Sequence, residues 1–102
     1  MSAGMTNASG FTVTLWSKPS CVQCTATKRK LTQLGVPFDE LDLTEPEHAD
    51  QLAGFKEAYG FASAPIVELD NLTLEDGGRE VRVWSGFRPD LLEQIPTLGE
   101  AA

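Results

Sequence analysis

The chain has 102 residues, enough for one domain, and 41% of them are hydrophobic. This fraction is enough for a packed core that needs no stabilising disulfide or metal ion. Its formal net charge is −7, and this excess of acids argues against nucleic acid and against an anionic membrane surface as partners. We expect a flexible extension over residues 1–10, one domain over 11–96 and a short tail over 97–102. Residues 1–10 lack the basic start and apolar run of a signal peptide, so the cytoplasm is the expected compartment.

Apolar periodicity and turn residues predict seven elements in the order βαβαββα. The strands cover 11–16, 38–43, 66–69 and 79–84, and the helices cover 21–34, about 44–59 and a last segment with Pro89 in its first turn. A right-handed β–α–β crossover makes the first two strands parallel neighbours, and the last two strands form an antiparallel hairpin. These connections predict an α/β fold with a mixed four-stranded sheet in the order 2-1-3-4 and helices on both faces.

The second strand alternates imperfectly. Val36 and Phe38 fit one phase of the alternation, whereas Leu41 and Leu43 fit the other. A bend or bulge between the two pairs would reconcile the phases.

The second helix carries a capping-box pattern at its start, with Thr44 as the cap, Glu47 reaching back and Pro46 in the first turn. Helical spacing predicts four residues on its inward face. They are Ala49, Leu52, Ala53 and Tyr59.

The C-terminal part begins with a polar connection over 70–78, in which Asp76–Gly78 is a turn signal. Phe87, Leu91 and Ile95 then follow one another at intervals of four residues. This spacing predicts a single last helix that packs through those three side chains.

The residues most indicative of chemistry are Cys21 and Cys24, at the point where the first strand leads into the first helix. A cysteine at a helix N-terminus faces unpaired N–H groups and the positive end of the helix dipole, so we expect a lowered pKa and a nucleophilic role for Cys21. Cys24 lies nearly one turn further on the apolar face and is expected to resolve the mixed disulfide. Lys18, in the preceding loop, would add a positive charge that solvent screens.

Two other interpretations of the cysteine pair remain open. A structural zinc site usually takes four ligands, and the chain offers two cysteines and His48. We therefore expect no metal, although a non-catalytic metal-binding or adaptor protein stays as an alternative that elemental analysis would reveal. A permanent structural disulfide is uncommon in the cytosol. A CxxC pair beside a βαβ pattern favours redox chemistry.

Residues 11–95 resemble the NrdH-redoxins, glutaredoxin-like proteins with thioredoxin-like behaviour. Three segments carry the resemblance: the Cys-Val-Gln-Cys motif at 21–24, Ala64–Pro65, and the run Trp-Ser-Gly-Phe-Arg-Pro-Asp at 84–90. The resemblance implies the thioredoxin fold, with Pro65 cis and close to the cysteines. It also implies a set of residues that support the active site: Lys18, Pro19, Val22, Gln23, Ala64, Pro65, Trp84, Ser85, Gly86, Phe87 and Arg88.

The resemblance further implies a function, which is to carry electrons from NADPH, through thioredoxin reductase, to a class Ib ribonucleotide reductase. No cofactor would be bound, because the Cys21–Cys24 disulfide is itself the redox centre, and a monomer is the expected state. The alternative is a glutathione-dependent glutaredoxin, and the run at 84–90 favours the first function. The long connection between Leu69 and Val81 departs from the tight hairpin that is usual in the family.

Overall fold

The computed structural model describes residues 11–73 and 78–98. The strands are β1 (Thr12–Ser17), β2 (Asp39–Asp42), β3 (Ile66–Thr73) and β4 (Arg79–Ser85), and the helices are α1 (Val22–Gln33), α2 (Ala49–Tyr59), α3 (Pro89–Leu92) and α4 (Ile95–Leu98). The predicted extension over 1–10 and residues 99–102 of the predicted tail lie outside the described residues. Helix α4 includes Thr97 and Leu98, and the division of the chain at 10 and 96 stays a prediction.

The four strands form one sheet in the order β2-β1-β3-β4. Strand β1 pairs in parallel with β2, and the β1–β3 and β3–β4 pairs are antiparallel. The predicted strand order and mixed sheet are therefore confirmed, since α1 supplies the crossover that a parallel neighbour requires.

Alternation along the strands divides the core between the two faces of the sheet. One face packs against α1, α3 and α4, and its buried residues include Val13, Leu15, Leu31, Val67, Leu69, Trp84, Leu92 and Ile95. The other face packs against α2, where Trp16, Leu43, Phe55 and Ile66 form a second cluster. Because α1 and α2 cover opposite faces, the predicted placement of helices on both faces is confirmed.

The predicted bulge in the second strand is wrong. β1 and β2 pair without interruption from Thr14 opposite Asp39 to Ser17 opposite Asp42. Val36 and Leu43 are both buried but lie outside the strand, in separate clusters. The change of phase in the sequence pattern therefore needs no bulge, because the buried Val36 and Leu43 lie on either side of β2 rather than within it.

The capping box and most of the predicted inward face of α2 are also wrong. The hydroxyl of Thr44 donates to Asp42 Oδ1 at 2.5 Å instead of capping a helix. A 3₁₀ turn over Pro46–His48 comes next, and α2 begins only at Ala49. This turn shifts the helical phase, so that Phe55 is the buried residue of α2. Leu52 is half-buried, while three of the predicted residues are exposed: Ala49, Ala53 and Tyr59.

The hairpin and the last helix differ from the sequence prediction as well. Strand β3 continues to Thr73, four residues beyond the predicted end at Leu69, so the predicted loop is partly strand. Of the predicted turn at Asp76–Gly78, residues 76 and 77 lie outside the described residues. The single last helix is instead two short helices, α3 and α4. Pro96 has no N–H group to continue the hydrogen-bond ladder between them, and Leu92 rather than Phe87 is fully buried.

Candidate active site

The two cysteines lie at the start of α1 and form a disulfide with their Cα atoms 5.2 Å apart. Cys21 is the N-cap of the helix, with extended backbone, and its Sγ accepts a hydrogen bond of 3.1 Å from the Cys24 N–H. Cys21 is partly exposed, whereas Cys24 is 4% exposed. One sulfur is therefore within reach of a partner, and the other lies behind it.

The loop over residues 18–20 leads from the carboxyl end of β1 to Cys21. Ser20 has a φ of 56°, a left-handed conformation that non-glycine residues seldom adopt outside functional sites. Lys18 and Pro19 are exposed in this loop. Val22, directly after Cys21, is an apolar side chain that is 85% exposed.

The Ala64–Pro65 peptide bond is cis. The carbonyl of Pro65 accepts a hydrogen bond of 2.8 Å from the Gly86 N–H, and Ile66 pairs with Ser85 across β3 and β4. The chain after β4 is thus fixed to the chain before β3. Gly86 has a φ of +84°, which favours glycine.

Gln23, between the two cysteines, connects α1 to the segment after β4. Its Oε1 accepts a hydrogen bond of 3.3 Å from the Phe87 N–H, across 64 residues of sequence. The motif, the cis proline and residues 85–88 are therefore linked by two hydrogen bonds. All of these residues are predicted at the site from the sequence, but no sequence pattern indicates the Gln23–Phe87 contact.

The residues of the run at 84–90 lie in different surroundings. Trp84 is buried in the main core, and its Nε1 has no hydrogen-bond partner within the described parts of the chain. Phe87 is 37% exposed at the surface. Arg88 forms a bidentate ion pair with Asp90, at 3.2 and 3.0 Å. Hydrogen bonding between them raises the pKa of Arg88 and lowers the pKa of Asp90.

A groove of about 450 Å³ opens beside the cysteines, between the start of α1 and the carboxyl ends of β1 and β2. Its charged lining residues are Lys18, Lys28, Glu40 and Asp42. Lys28 pairs with Glu40 at 3.2 Å, and Glu40 also accepts a hydrogen bond of 2.9 Å from the buried Ser17 hydroxyl. Sequence analysis missed the two carboxylates, although the predicted parallel pairing placed the carboxyl ends of β1 and β2 side by side.

The carboxylate of Asp42 has a lowered pKa, because the hydroxyl and the backbone N–H of Thr44 both donate hydrogen bonds to it. His48, the third residue of the zinc alternative, lies elsewhere: its Nδ1 is 2.7 Å from the Asp42 carbonyl oxygen and its ring packs edge-on against Trp16. Within 11–73 and 78–98, no three His, Cys, Asp or Glu side chains gather as a metal-binding set.

Comparison with known proteins identifies the family. The family model described as Glutaredoxin matches residues 13–72, more than half of the chain. The chain is 34% identical over 94 residues to the glutaredoxin-like protein NrdH of Salmonella typhimurium, covering 90% of this chain and 98% of that protein. It is 31% identical over 84 residues to NrdH of Lactococcus lactis subsp. lactis, covering 81% and 97%. The chain belongs to the NrdH group of the glutaredoxin family. With its Cys21–Cys24 pair, it is a thiol–disulfide oxidoreductase.

Solved structures agree with this NrdH assignment. NrdH-redoxin from Escherichia coli, described as having a thioredoxin-like activity profile, has a TM-score of 0.56 and 29% identity, covering 81% of this chain and 92% of that chain. The Archaeoglobus fulgidus glutaredoxin has a TM-score of 0.60 at 17% identity and shares the fold. The thioredoxin-like fold expected for this NrdH-like chain is thus confirmed. No helix in the part of the chain that the structure describes has the length and apolarity to cross a membrane.

Proposed function

We propose that this NrdH-like chain carries electrons from NADPH, through thioredoxin reductase, to a class Ib ribonucleotide reductase. The observation that carries the proposal is a disulfide-forming pair, a partly exposed Cys21 and a buried Cys24, in a chain that matches NrdH proteins over most of its length. The proposal places the protein in the cytoplasm, as a monomer that meets its two partners in turn and binds no cofactor.

The proposed chemistry assigns different roles to the two sulfurs. In the reduced protein, the Cys24 N–H that donates to Cys21 Sγ favours the thiolate at Cys21. This thiolate attacks the partner's disulfide, forms a mixed disulfide and releases one partner thiolate. Cys24 then loses its proton to solvent and attacks Cys21 Sγ, which releases the second partner thiolate and forms the Cys21–Cys24 disulfide. Two electrons have moved to the partner, which takes up two protons.

Regeneration reverses these steps with a different partner. A thiolate of thioredoxin reductase attacks Cys21, and the reductase disulfide that results is reduced again by NADPH. Because Cys24 is buried and Cys21 is partly exposed, both partners must approach from the side of Cys21. The exposed Val22 and Phe87 are the apolar side chains that we propose for this contact, while Pro65 and Gly86 hold the backbone beside it.

Two parallel NADPH-consumption assays test the route of electrons. The oxidised protein is incubated with thioredoxin reductase in one cuvette and with glutathione plus glutathione reductase in the other. Turnover with thioredoxin reductase, followed by turnover of a class Ib ribonucleotide reductase, supports the proposal. Turnover only through glutathione would show instead a glutathione-dependent glutaredoxin. Cys21→Ser is the control, because loss of the exposed sulfur stops either route.

A further inference from the structure

The groove beside the disulfide carries charges of both signs in equal number. Its charged lining residues are two lysines and two carboxylates: Lys18, Lys28, Glu40 and Asp42. In the segment after β4, the charge of Arg88 is likewise paired with that of Asp90. A thiolate formed at Cys21 therefore meets no surplus of either sign among these groups. Removal of one charge from the groove should change how readily Cys21 ionises.

Lys28 is the groove cation whose place is set by the helix that carries the cysteines. It lies four residues after Cys24 on α1, so the two side chains are neighbours on one face, and side chains on a helix lean toward its N-terminus. A lysine at this position has the reach to extend its ammonium group over the sulfurs. Instead, its Nζ lies 3.3 and 3.2 Å from the two carboxylate oxygens of Glu40. Glu40 therefore holds this positive charge at β2 and offsets it with a negative one.

A second contact fixes the carboxylate of Glu40 itself. Ser17, the last residue of β1, is buried, and its hydroxyl donates a hydrogen bond of 2.9 Å to Glu40 Oε2. The backbone of Glu40 also belongs to the sheet, where it lies opposite Leu15 in the parallel β1–β2 pair. Most surface ion pairs join two mobile side chains and contribute little to stability. In this pair the sheet sets the position of the carboxylate, so the carboxylate in turn sets the position of the lysine.

We propose that Glu40 is a positioning residue that acts through Lys28, and that it limits the ionisation of Cys21 by holding the lysine charge at β2. A positive charge near a thiol favours the thiolate, and a favoured thiolate stabilises the reduced protein over the disulfide. By offsetting Lys28, Glu40 makes the dithiol a stronger reductant. The inference deepens the proposed function and rests on it for the direction in which electrons flow.

The first measurement is the rate at which iodoacetamide alkylates the reduced protein as a function of pH. The thiolate displaces iodide from the reagent, so the midpoint of the profile reports ionisation of the thiol. A Cys24→Ser background leaves Cys21 as the only thiol, because the chain has two cysteines.

Two substitutions in this background should move the midpoint in opposite directions. Glu40→Gln keeps an acceptor for the Ser17 hydroxyl but removes the negative charge, and we expect the midpoint to fall by about half a pH unit. A single charge about 7 Å away in a near-aqueous medium has an effect of this size. Lys28→Gln leaves the carboxylate without its cation and should raise the midpoint by a similar amount.

The ion pair between Lys30 and Glu93 is the matched control. Its atoms are 2.8 Å apart and it also involves α1, but neither residue lines the groove. Lys30 is nine residues along the helix from Cys21, about 13 Å, so salt screens its charge. Glu93→Gln and Lys30→Gln change the net charge by the same amounts as the groove variants and should leave the midpoint unchanged.

A double variant separates charge from structure. Glu40→Gln combined with Lys28→Gln removes both charges and should return the midpoint to its value in the parent protein. A contact that merely supported the structure would shift the midpoint in the same direction in both single variants, because each of them breaks the same pair.

The second measurement is the equilibrium of the Cys21–Cys24 disulfide with dithiothreitol in the otherwise wild-type chain. The reagent gives two electrons and two protons to the protein and closes into its own cyclic disulfide. Glu40→Gln should shift this equilibrium toward the reduced protein about twofold, or about 9 mV in reduction potential. Lys28→Gln should shift it the opposite way.

The inference is overturned if Glu40→Gln moves the midpoint no further than Glu93→Gln does, or if Glu40→Gln and Lys28→Gln move it in the same direction. Both measurements use small reagents, so their outcome does not depend on any protein partner. Opposite shifts in a protein that accepts no electrons from thioredoxin reductase would refute the proposed electron route while the role of Glu40 at the thiols stands.

Discussion

The strongest local prediction concerns Gly86, which links β4 to the active site. A Cβ added at this position would meet Gln23 Oε1 at 3.5 Å, an ordinary van der Waals contact, so space does not prevent alanine. The backbone conformation disfavours alanine, because φ is +84° and a side chain in the left-handed region costs about 1–2 kcal/mol. The lower entropy of the unfolded chain offsets about 0.5 kcal/mol of this cost. We therefore expect Gly86→Ala to reduce the free energy of unfolding by about 1 kcal/mol, or roughly 4–8 °C in Tm.

Gly54→Ala is the matched control for this substitution. Gly54 lies inside α2, and nothing lies within 4 Å of the Cβ that alanine would add. Because glycine disfavours a helix interior, this variant should gain about 0.5–1 kcal/mol. Urea unfolding followed by circular dichroism measures both variants. If the two free energies of unfolding change equally, the backbone conformation at Gly86 is not what restricts that position.

Three further predictions follow from the site and the core. Cys24→Ser should trap a mixed disulfide between Cys21 and its partner, visible on a non-reducing gel, and preferential alkylation of Cys24 in the reduced wild type would contradict the assigned roles. Leu92→Ala should cost about 2–5 kcal/mol in urea unfolding, since Leu92 is fully buried, and a loss below about 1 kcal/mol would count against that packing. The pKa of Asp42 is lowered from 3.8 by Thr44, so this group contributes stability above that pH and loses it as the pH falls. Wild type should then lose more free energy of unfolding than Thr44→Val between about pH 5 and pH 2. Equal losses would show that Thr44 does not lower the pKa of Asp42 in the folded protein.

Short-range patterns sufficed for the order of the strands and the first two helices, and for the reacting pair. The second helix, predicted to end at about residue 59, ends at Tyr59, and Gly60 caps it in the left-handed conformation with a φ of +77°. Cys21 and Cys24 are three residues apart at a strand-to-helix junction, so their relation depends on one turn of helix. Predictions that depended on helical phase were less successful. Because a 3₁₀ turn precedes α2, Phe55 is buried and the predicted Tyr59 is exposed.

The amino-acid sequence by itself determined the strand order, the dithiol motif and the family resemblance, because each depends on local periodicity, chain connectivity or residue identity. Only the tertiary structure decided that Gln23 binds the Phe87 N–H across 64 residues. It also decided that Trp84, at the start of the run that resembles the family, belongs to the core. The physical reason is that such contacts depend on the register and orientation of whole elements, which a one-dimensional pattern of apolar and polar residues does not specify.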